Sequence, residues 1–477
     1  MVPEAILVAV LVITFIADFI AHGKEDKSWL NPLVSVMLLV SAIATLFVGD
    51  DQAVLFGGAY VATPANTMMK AILCAGTFIV VLQSRKWLSG EDAKAVEGEF
   101  YMLTISTLLG MYVMMSAGSF LMFFLGLETA SVPLACMVAL DKYKKDSAEA
   151  AAKFILTATF SSGVMLYGLS FLYGSTGTLY FADFAEALEV NAMTICGMVF
   201  FVSGLGFKLS LVPFHFWTAD TYQGAPTTVT GYLSVVSKGA AAFTLAAILM
   251  KVFAPVTVYW QYMLFIVVVL SITIANLFAI RQSDLKRFMA FSSISQAGYI
   301  VLAIVGNNAM SVTALSFYVL IYIVANMSVF TVISAVEEHN NGTVEINSYN
   351  GLYATNPRLA FLLTLALFSL GGIPPFAGMF SKFFVFMAAV KGMSIDSGIG
   401  ALSYAVVFIA LVNTVISLYY YLLIVKAMFI KHNDAPLPTF RSNVSTRLAL
   451  AICTAGIILF GFCSVVYGWI DAASAAL

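Results

Sequence analysis

The fold is decided by the stretch Gly204-Leu205-Gly206-Phe207-Lys208-Leu209-Ser210-Leu211-Val212-Pro213, which lies inside a long apolar segment. Proline removes a backbone donor and clashes with the preceding turn, and glycine loosens the backbone. We therefore predict two half-helices joined by an irregular stretch. A second apolar segment is broken in the same way at Gly371-Gly372-Ile373-Pro374-Pro375-Phe376-Ala377-Gly378. At membrane depth, such a backbone survives only where protein or a water-filled cavity covers it.

The composition indicates a membrane protein. Of the 477 residues, 61% are hydrophobic and only 10% are charged, whereas a soluble domain has about 25% charged residues. The net charge of −2 excludes a nucleic-acid-binding protein on electrostatic grounds. The five cysteines have neither metal-ligand nor redox spacing, so we expect no iron–sulfur cluster, no zinc site and no other metal site.

Apolar runs of spanning length occur along the whole chain. A span needs about 20 predominantly apolar residues, and in hydrocarbon it must be a helix. The sequence contains fourteen candidates, near 4–21, 31–49, 66–84, 101–116, 118–140, 150–173, 193–219, 227–250, 257–280, 287–305, 310–335, 357–390, 400–429 and 446–469. The N-terminus lacks the basic region of a cleavable signal, so we expect the first span to be retained.

The distribution of basic residues supports this count. Of the 23 lysines and arginines, fifteen fall in odd-numbered loops, and the even-numbered loops hold only Lys70, Lys251 and Lys391. Cytoplasmic loops carry the excess of positive charge. We therefore predict fourteen spans with both termini on the periplasmic side.

The two broken segments are the seventh and the twelfth, which are five apart. Interrupted helices at corresponding positions are typical of transporters built from two repeated units. We predict an all-α polytopic membrane protein with an N-terminal three-helix segment (1–100), a first five-helix repeat (101–250), a second five-helix repeat (257–430) and a C-terminal helix (431–477).

Ionisable residues inside the apolar segments identify the candidate site: Lys153, Lys208, Lys238, Lys382 and the acid Glu128. A charge at the bilayer centre costs roughly 2.5–3.5 kcal/mol, so such residues are rare and usually mark an ion or proton path. Burial disfavours the charged form of a lysine and a nearby carboxylate favours it. A lysine with a changeable neighbouring charge can therefore bind and release a proton.

Each of these residues also has a structural interpretation. Lys153 lies only about a turn into its helix, so its side chain could reach the interface. Glu128 could neutralise one lysine in a static pair. His215 follows Lys208 by seven residues and could shuttle protons or be purely structural.

Three polar residues close the seventh segment, and we expect them to face the cytoplasmic side and to cap the following turn. They are Asp220, Tyr222 and Gln223.

Four motifs cover the middle two-thirds of the chain. The longest runs from Pro213-Phe214-His215-Phe216-Trp217 through Tyr222-Gln223-Gly224-Ala225-Pro226 to Ser237-Lys238. The others are Gln282-Ser283-Asp284-Leu285-Lys286-Arg287, Ser292-Ser293-Ile294-Ser295-Gln296-Ala297-Gly298-Tyr299, and Gly372-Ile373-Pro374-Pro375 with Lys382-Phe383. Together these motifs resemble the antiporter-like membrane subunits of NADH:quinone oxidoreductase (respiratory complex I), and the subunit N type most.

The resemblance implies two inverted five-helix bundles with discontinuous helices seven and twelve and a central polar axis. It implies a relay of Glu128 on helix five, Lys153 on helix six, Lys208 on helix seven, Lys238 on helix eight and Lys382 on helix twelve. The chain is then expected to bind no cofactor. NADH, flavin, iron–sulfur clusters and quinone are expected on other subunits of a bacterial inner-membrane complex, whose antiporter-like and small membrane subunits would be its partners along with lipid, protons and internal water.

Two other functions remain open at this point. One is a subunit of a multisubunit sodium/proton antiporter with no link to NADH. The other is a non-transporting scaffold whose lysines form structural ion pairs or bind lipid. Static pairing requires one acid per buried lysine, and Glu128 is the only acid at depth, which argues against the scaffold.

Overall fold

The computed structural model describes residues 1–21, 27, 29–48, 52–90, 93–340, 342–433 and 436–475. The described chain is almost entirely helical. Its N-terminal half contains α1 (Val2–Ala21), α2 (Leu30–Leu46), β1 (Ala53–Leu55), β2 (Tyr60–Ala62), α3 (Pro64–Leu88), α4 (Glu97–Met115), α5 (Phe120–Val138), α6 (Lys145–Thr176), α7 (Phe181–Ala187), α8 (Ala192–Leu209), α9 (Phe216–Gly224), α10 (Thr227–Tyr232) and α11 (Lys238–Ala247). Strands β1 and β2 pair antiparallel.

The C-terminal half follows the same pattern. It contains α12 (Thr257–Ala279), α13 (Leu285–Val305), α14 (Ala309–His339), α15 (Leu352–Thr355), α16 (Pro357–Gly371), α17 (Ala377–Val390), α18 (Gly398–Phe429), α19 (Val444–Phe462) and α20 (Ser464–Ser474). Two π-helical turns, Leu233–Ser237 and Ile248–Val252, extend α10 and α11 into one continuous helix over Thr227–Val252.

The chain is a multi-pass membrane protein. Eleven helices in the described residues are long and apolar enough to cross a bilayer, and α2, α16 and α17 are shorter apolar helices. A full span needs about 20 residues, so α16 and α17 can cross only as a pair. Fourteen spans remain the number predicted from the sequence.

Both predicted helix breaks are confirmed. The first half-helix α8 ends at Leu209, with Ser210 in the left-handed region (φ 61°), and α9 begins at Phe216. At the second break, α16 ends at Gly371, Gly372 follows with φ 82°, and α17 begins at Ala377. A left-handed residue cannot continue a right-handed helix, so each half-helix stops there.

The breaks occupy equivalent places in two sets of five. The first set is α4, α5, α6, the α8–α9 pair and the α10–α11 helix, and the second is α12, α13, α14, the α16–α17 pair and α18. In each set the fourth member is broken. Because five is odd, successive crossings make the two sets run in opposite directions through the membrane.

Three helices form the centre of the molecule. The apolar stretches of Thr227–Val252, α13 and α14 are 89%, 100% and 89% buried, whereas those of α6 and α18 are only 28% buried. The outer helices expose large apolar side chains such as Phe160 and Phe408, as expected of lipid-facing surfaces. Polar groups on the three central helices are therefore shielded from lipid on every side.

Candidate functional site

Three of the predicted lysines lie buried in the helix bundle. Lys208, Lys238 and Lys382 are 6%, 1% and 4% exposed. Within the described residues, no carboxylate approaches any of these three ammonium groups within 4 Å. Buried charges in proteins are normally paired. These lysines must therefore be stabilised by neutral partners or give up their protons.

Lys208 lies in the last turn of α8, immediately before the first break. Its Nζ donates to Ser131 Oγ at 2.6 Å and lies 6.0 Å from the centroid of the Phe154 ring. The carbonyl end of a helix carries partial negative charge, which favours a cation. The break thus creates a site for a positive charge without using an acid.

Lys382 lies after the second break, in α17, and its side chain reaches back to that break. Its Nζ donates to the carbonyl of Gly371, the last residue of α16, at 3.4 Å. It also lies 4.9 Å from the centroid of the Tyr299 ring, within the range of a cation–π interaction. The ammonium of Lys382 is therefore held at the carbonyl end of α16, whereas that of Lys208 is held by Ser131 of α5.

Lys238 follows directly after the π-helical turn Leu233–Ser237. Such turns insert one residue into a helix and are frequent at functional sites. Lys238 Nζ donates to Ser293 Oγ at 2.7 Å and lies 5.5 Å from the centroid of the Tyr222 ring. A hydroxyl and an aromatic face replace the carboxylate that would otherwise pair with this ammonium.

A hydrogen-bonded group of side chains begins one residue before Ser293 and extends towards Lys382, although no described hydrogen bond joins it to Lys238. Ser292, next to the acceptor of Lys238, lies 2.6 Å from the Tyr421 hydroxyl. The Gln296 amide donates to the same hydroxyl at 3.2 Å, and Tyr318 donates to the Gln296 carbonyl.

A small cavity extends from this group to Lys382. Its lining includes Gln296, Tyr318, Tyr322 and Lys382, and its volume is about 10 Å³. That volume is at the lower limit for one water molecule. We call the line from Lys208 through Lys238 to Lys382 the lysine axis. Polar side chains therefore occupy much of its second half, between Lys238 and Lys382.

The first half of the axis depends on α9. This helix starts beside Lys208, where Trp217 Nε1 donates to the Phe207 carbonyl at 3.1 Å, and reaches Lys238 at Tyr222. Between these ends, the hydroxyls of Thr218 and Thr221 are buried and have no hydrogen-bond partner among the described residues. Buried hydroxyls are nearly always paired with protein or water. Water is therefore the partner expected between Lys208 and Lys238.

Glu128 lies at the edge of this axis. It is half-buried, and its Oε1 accepts a hydrogen bond from Ser162 Oγ at 2.6 Å. Ser131, three residues further along α5, is the acceptor for Lys208. Glu128 is thus near Lys208 but not bonded to it, as expected of a modulating charge rather than a static pair.

Lys153 differs from the expectation of a buried lysine. Its side chain is 43% exposed and forms ion pairs with Glu149 at 2.7 Å and Asp220 at 2.6 Å. Asp220 also pairs with Arg287 at 2.6 Å. The lysine reaches the end of the bundle, because its position near the start of α6 lets the long side chain extend outwards.

His215 is buried at the first break and precedes α9. Its ring stacks on that of Phe216, with a centroid distance of 4.6 Å. It lies at the start of the helix that leads to Lys238, although no described hydrogen bond joins it to either lysine.

Two expectations about polar residues are wrong. Tyr222 does not cap a turn but is fully buried, with its hydroxyl 3.3 Å from Ser293 Oγ. Asp220 and Gln223 bind Arg287 instead of capping. The sequence contained no signal for the burial of Tyr222, because its partner Ser293 lies 71 positions away.

Lys70 is another basic residue whose position differs from the sequence-based expectation. Instead of lying in a loop, it is buried in α3, with Nζ 2.5 Å from Glu4 Oε1 and 2.6 Å from Ser116 Oγ. Tyr60 also donates to Glu4, at 3.0 Å. This ion pair binds α1 to α3 and is separate from the lysine axis.

Comparison with known proteins gives consistent results. Residues 117–417 match the family "NADH:quinone oxidoreductase/Mrp antiporter, TM". The chain is 57% identical to NADH-quinone oxidoreductase subunit N of Phocaeicola vulgatus over 97% of this chain and 96% of that one. It is 50% identical to the protein of the same name from Azobacteroides pseudotrichonymphae, over 99% and 96%. A chain in the structure of respiratory complex I from Thermus thermophilus with bound aureothin is 27% identical, with a TM-score of 0.82 and 100% coverage of both chains.

Proposed function

The chain belongs to the NADH:quinone oxidoreductase/Mrp antiporter membrane family, and we propose that its buried lysines carry protons across the membrane as part of NADH:quinone oxidoreductase. One observation carries this proposal: Lys208, Lys238 and Lys382 are buried without a carboxylate partner in the described structure. A permanent charge in that position would be costly. A lysine that is charged only while it carries a proton avoids most of this cost.

In the proposed cycle, Lys208 is loaded from the cytoplasm, and Lys153 and Asp220 at the end of the bundle are the first charged groups on that route. The proton then passes to Lys238 through water along α9, with His215 as a possible further carrier. From Lys238 it follows the serine, tyrosine and glutamine chain to Lys382 and leaves to the periplasm. Repulsion between successive ammonium groups drives each transfer, because charges in a low-dielectric interior interact strongly.

Coupling would act through Glu128. A change in the distance between its carboxylate and Lys208 alters how strongly the lysine holds its proton. Moving one charge against 100 mV requires about 2.3 kcal/mol. A change of that size corresponds to about fiftyfold in proton affinity, which the approach or withdrawal of one carboxylate can supply.

The remaining assignments follow from this function. The first repeat (101–250) would hold the entry half of the path and the second (257–430) the exit half, with residues 1–100 and 431–477 flanking them. Both termini would face the periplasm of a bacterial inner membrane. The chain would bind no cofactor itself, since electron transfer would take place on other subunits of the complex.

The experiment compares inverted membrane vesicles carrying Lys238→Ala with vesicles carrying the control Lys391→Ala. Lys391 is an exposed lysine outside the buried axis. We expect NADH-driven proton uptake to be lost in Lys238→Ala and retained in the control, with similar amounts of assembled complex. Unchanged uptake after replacing both Lys208 and Lys238 would refute the relay and favour a scaffold.

The family also includes Mrp antiporters, so a second outcome must be distinguished. Sodium-dependent proton efflux from the same vesicles without NADH, lost in Lys238→Ala, would identify an antiporter subunit instead. Uptake that requires NADH and is independent of sodium supports the proposal.

A further inference from the structure

A lateral groove lies between the first turns of α16 and the outer side of α19, which it follows from Arg447 to Ile458. Its volume is about 710 Å³. Its walls are mainly apolar and include Leu359, Leu362, Leu450 and Ile458. None of the buried lysines lines it, so it is separate from the proton path.

Three arginines surround the mouth of this groove: Arg358, Arg441 and Arg447. All three are exposed, and no carboxylate in the described residues lies within 4 Å of any of them. Among the residues that the structure describes, no aspartate or glutamate lines the groove.

Another large pocket of the structure differs from this groove in the charges that line it. It measures about 590 Å³ and is lined by charges of both signs, among them Lys86, Lys286, Asp284 and Glu337. Protein surfaces usually mix the two signs in this way. In the described part of the chain, the arginine groove carries only positive charge, and no carboxylate pairs with it.

The groove also has the depth of an acyl chain. From Arg447 at its mouth to Ile458 at its far end is eleven residues of α19, or about 16 Å at 1.5 Å per residue. That is about half of the roughly 30 Å hydrocarbon core. The groove therefore begins with cations at the membrane surface and continues as an apolar channel into one leaflet.

We propose that this groove is a binding site for an anionic phospholipid. Its phosphate would accept hydrogen bonds from the arginine guanidinium groups, which suit phosphate because they donate in a planar fork. One acyl chain would lie along α19 between the leucine side chains. Basic pockets at the membrane surface between helices are suited to such headgroups.

A lipid fits these features better than a helix of another protein. A protein partner would have to supply acidic side chains at the mouth and an apolar segment narrow enough for the groove. A single phospholipid carries both parts in the required order, with the charge at the surface and the chain at depth.

The test uses the intact purified complex in nanodiscs that contain phosphatidylglycerol and phosphatidylcholine. Native mass spectrometry counts the phosphatidylglycerol retained after mild delipidation. We expect the Arg358→Gln, Arg441→Gln, Arg447→Gln triple variant to lose one retained phosphatidylglycerol, with the occupancy of that last binding event lowered at least about tenfold relative to the wild type. Arg281→Gln is the matched control: it removes an exposed arginine outside the groove and should change nothing.

A second variant separates a lipid site from general surface charge. Ala455→Trp fills the groove and leaves the arginines in place, so it should also abolish selective retention, even if the triple variant assembles poorly. Retention at the wild-type level in either variant would overturn the proposal. So would crosslinking of Ala455→Cys to a neighbouring subunit, because protein would then cover the groove.

Discussion

At the scale of single residues, neutral acceptors rather than carboxylates hold the buried ammonium groups of three lysines. Lys208 and Lys238 donate to serine hydroxyls, and Lys382 donates to a backbone carbonyl. Neutral acceptors stabilise the charged lysine less than a carboxylate would. A lysine held in this way can lose its proton, which a buried salt bridge resists.

Replacing Ser293 by alanine tests this account. The change removes the acceptor of Lys238, and a hydrogen bond to a charged group contributes about 1.5–3 kcal/mol. Without this hydrogen bond, the protonated form of Lys238 is less stable relative to its neutral form. The alkaline limb of the pH profile for NADH-driven proton uptake should therefore move to lower pH by about one to two units.

Ser295→Ala is the control for this prediction. Ser295 is buried on the same helix and makes no described hydrogen bond to Lys238. Its profile should match that of the wild type. An unchanged profile in Ser293→Ala would show that Ser293 does not set the proton affinity of Lys238.

At the scale of elements, the two broken helices position the two outer lysines. Each first half-helix ends at a residue with positive φ, and each break leaves a carbonyl end near a buried ammonium. The glycine at position 378 allows the second break to close, because a Cβ there would clash with the backbone carbonyl of Ser369.

Gly378→Ala should therefore displace α17 from α16 and move Lys382 with it. Overpacking of this kind costs about 1–3 kcal/mol or more, since backbone cannot move aside as a side chain can. We expect a lower melting temperature of the purified complex and reduced proton uptake per assembled complex.

The matched change is Gly398→Ala at the start of α18, where a Cβ would meet no atom within 4 Å. It should leave both quantities unchanged. Equal behaviour of the two variants would mean that the close approach of α17 to α16 is not needed.

At the scale of the whole molecule, α1 and α3 are joined by the buried pair of Glu4 and Lys70, which also contacts Tyr60 and Ser116. The pair lies apart from the lysine axis. Its role is therefore structural, in attaching the N-terminal helices to the bundle.

Lys70→Met should destabilise the subunit by about 3–5 kcal/mol, because it leaves the buried carboxylate of Glu4 without its cation. The Glu4→Gln, Lys70→Met double variant should recover most of this loss. The amount of the subunit in assembled complex, measured by quantitative mass spectrometry, reports both effects.

Proton uptake per assembled complex should be the same in the wild type and in both variants. A loss of uptake in the double variant at normal assembly would instead place this ion pair in the proton path.

The sequence alone determined the class of protein, the helix breaks and the burial of three lysines, but it predicted neither the exposure of Lys153 nor the burial of Lys70. These are local properties: hydrophobic length, the missing donor of proline and the position of a charge within an apolar run all act within one segment. That is why Lys208, Lys238 and Lys382 were predicted correctly as buried.

Only the tertiary structure decided what each charge contacts. Lys153 extends outwards to Asp220, Lys70 meets Glu4 across 66 positions, and Tyr222 shares Ser293 with Lys238. Side-chain partners come from helices distant in sequence, and the apolar pattern of one segment does not indicate which helix packs against it. The identity of each lysine's partner therefore depends on packing, whereas its presence in the membrane does not.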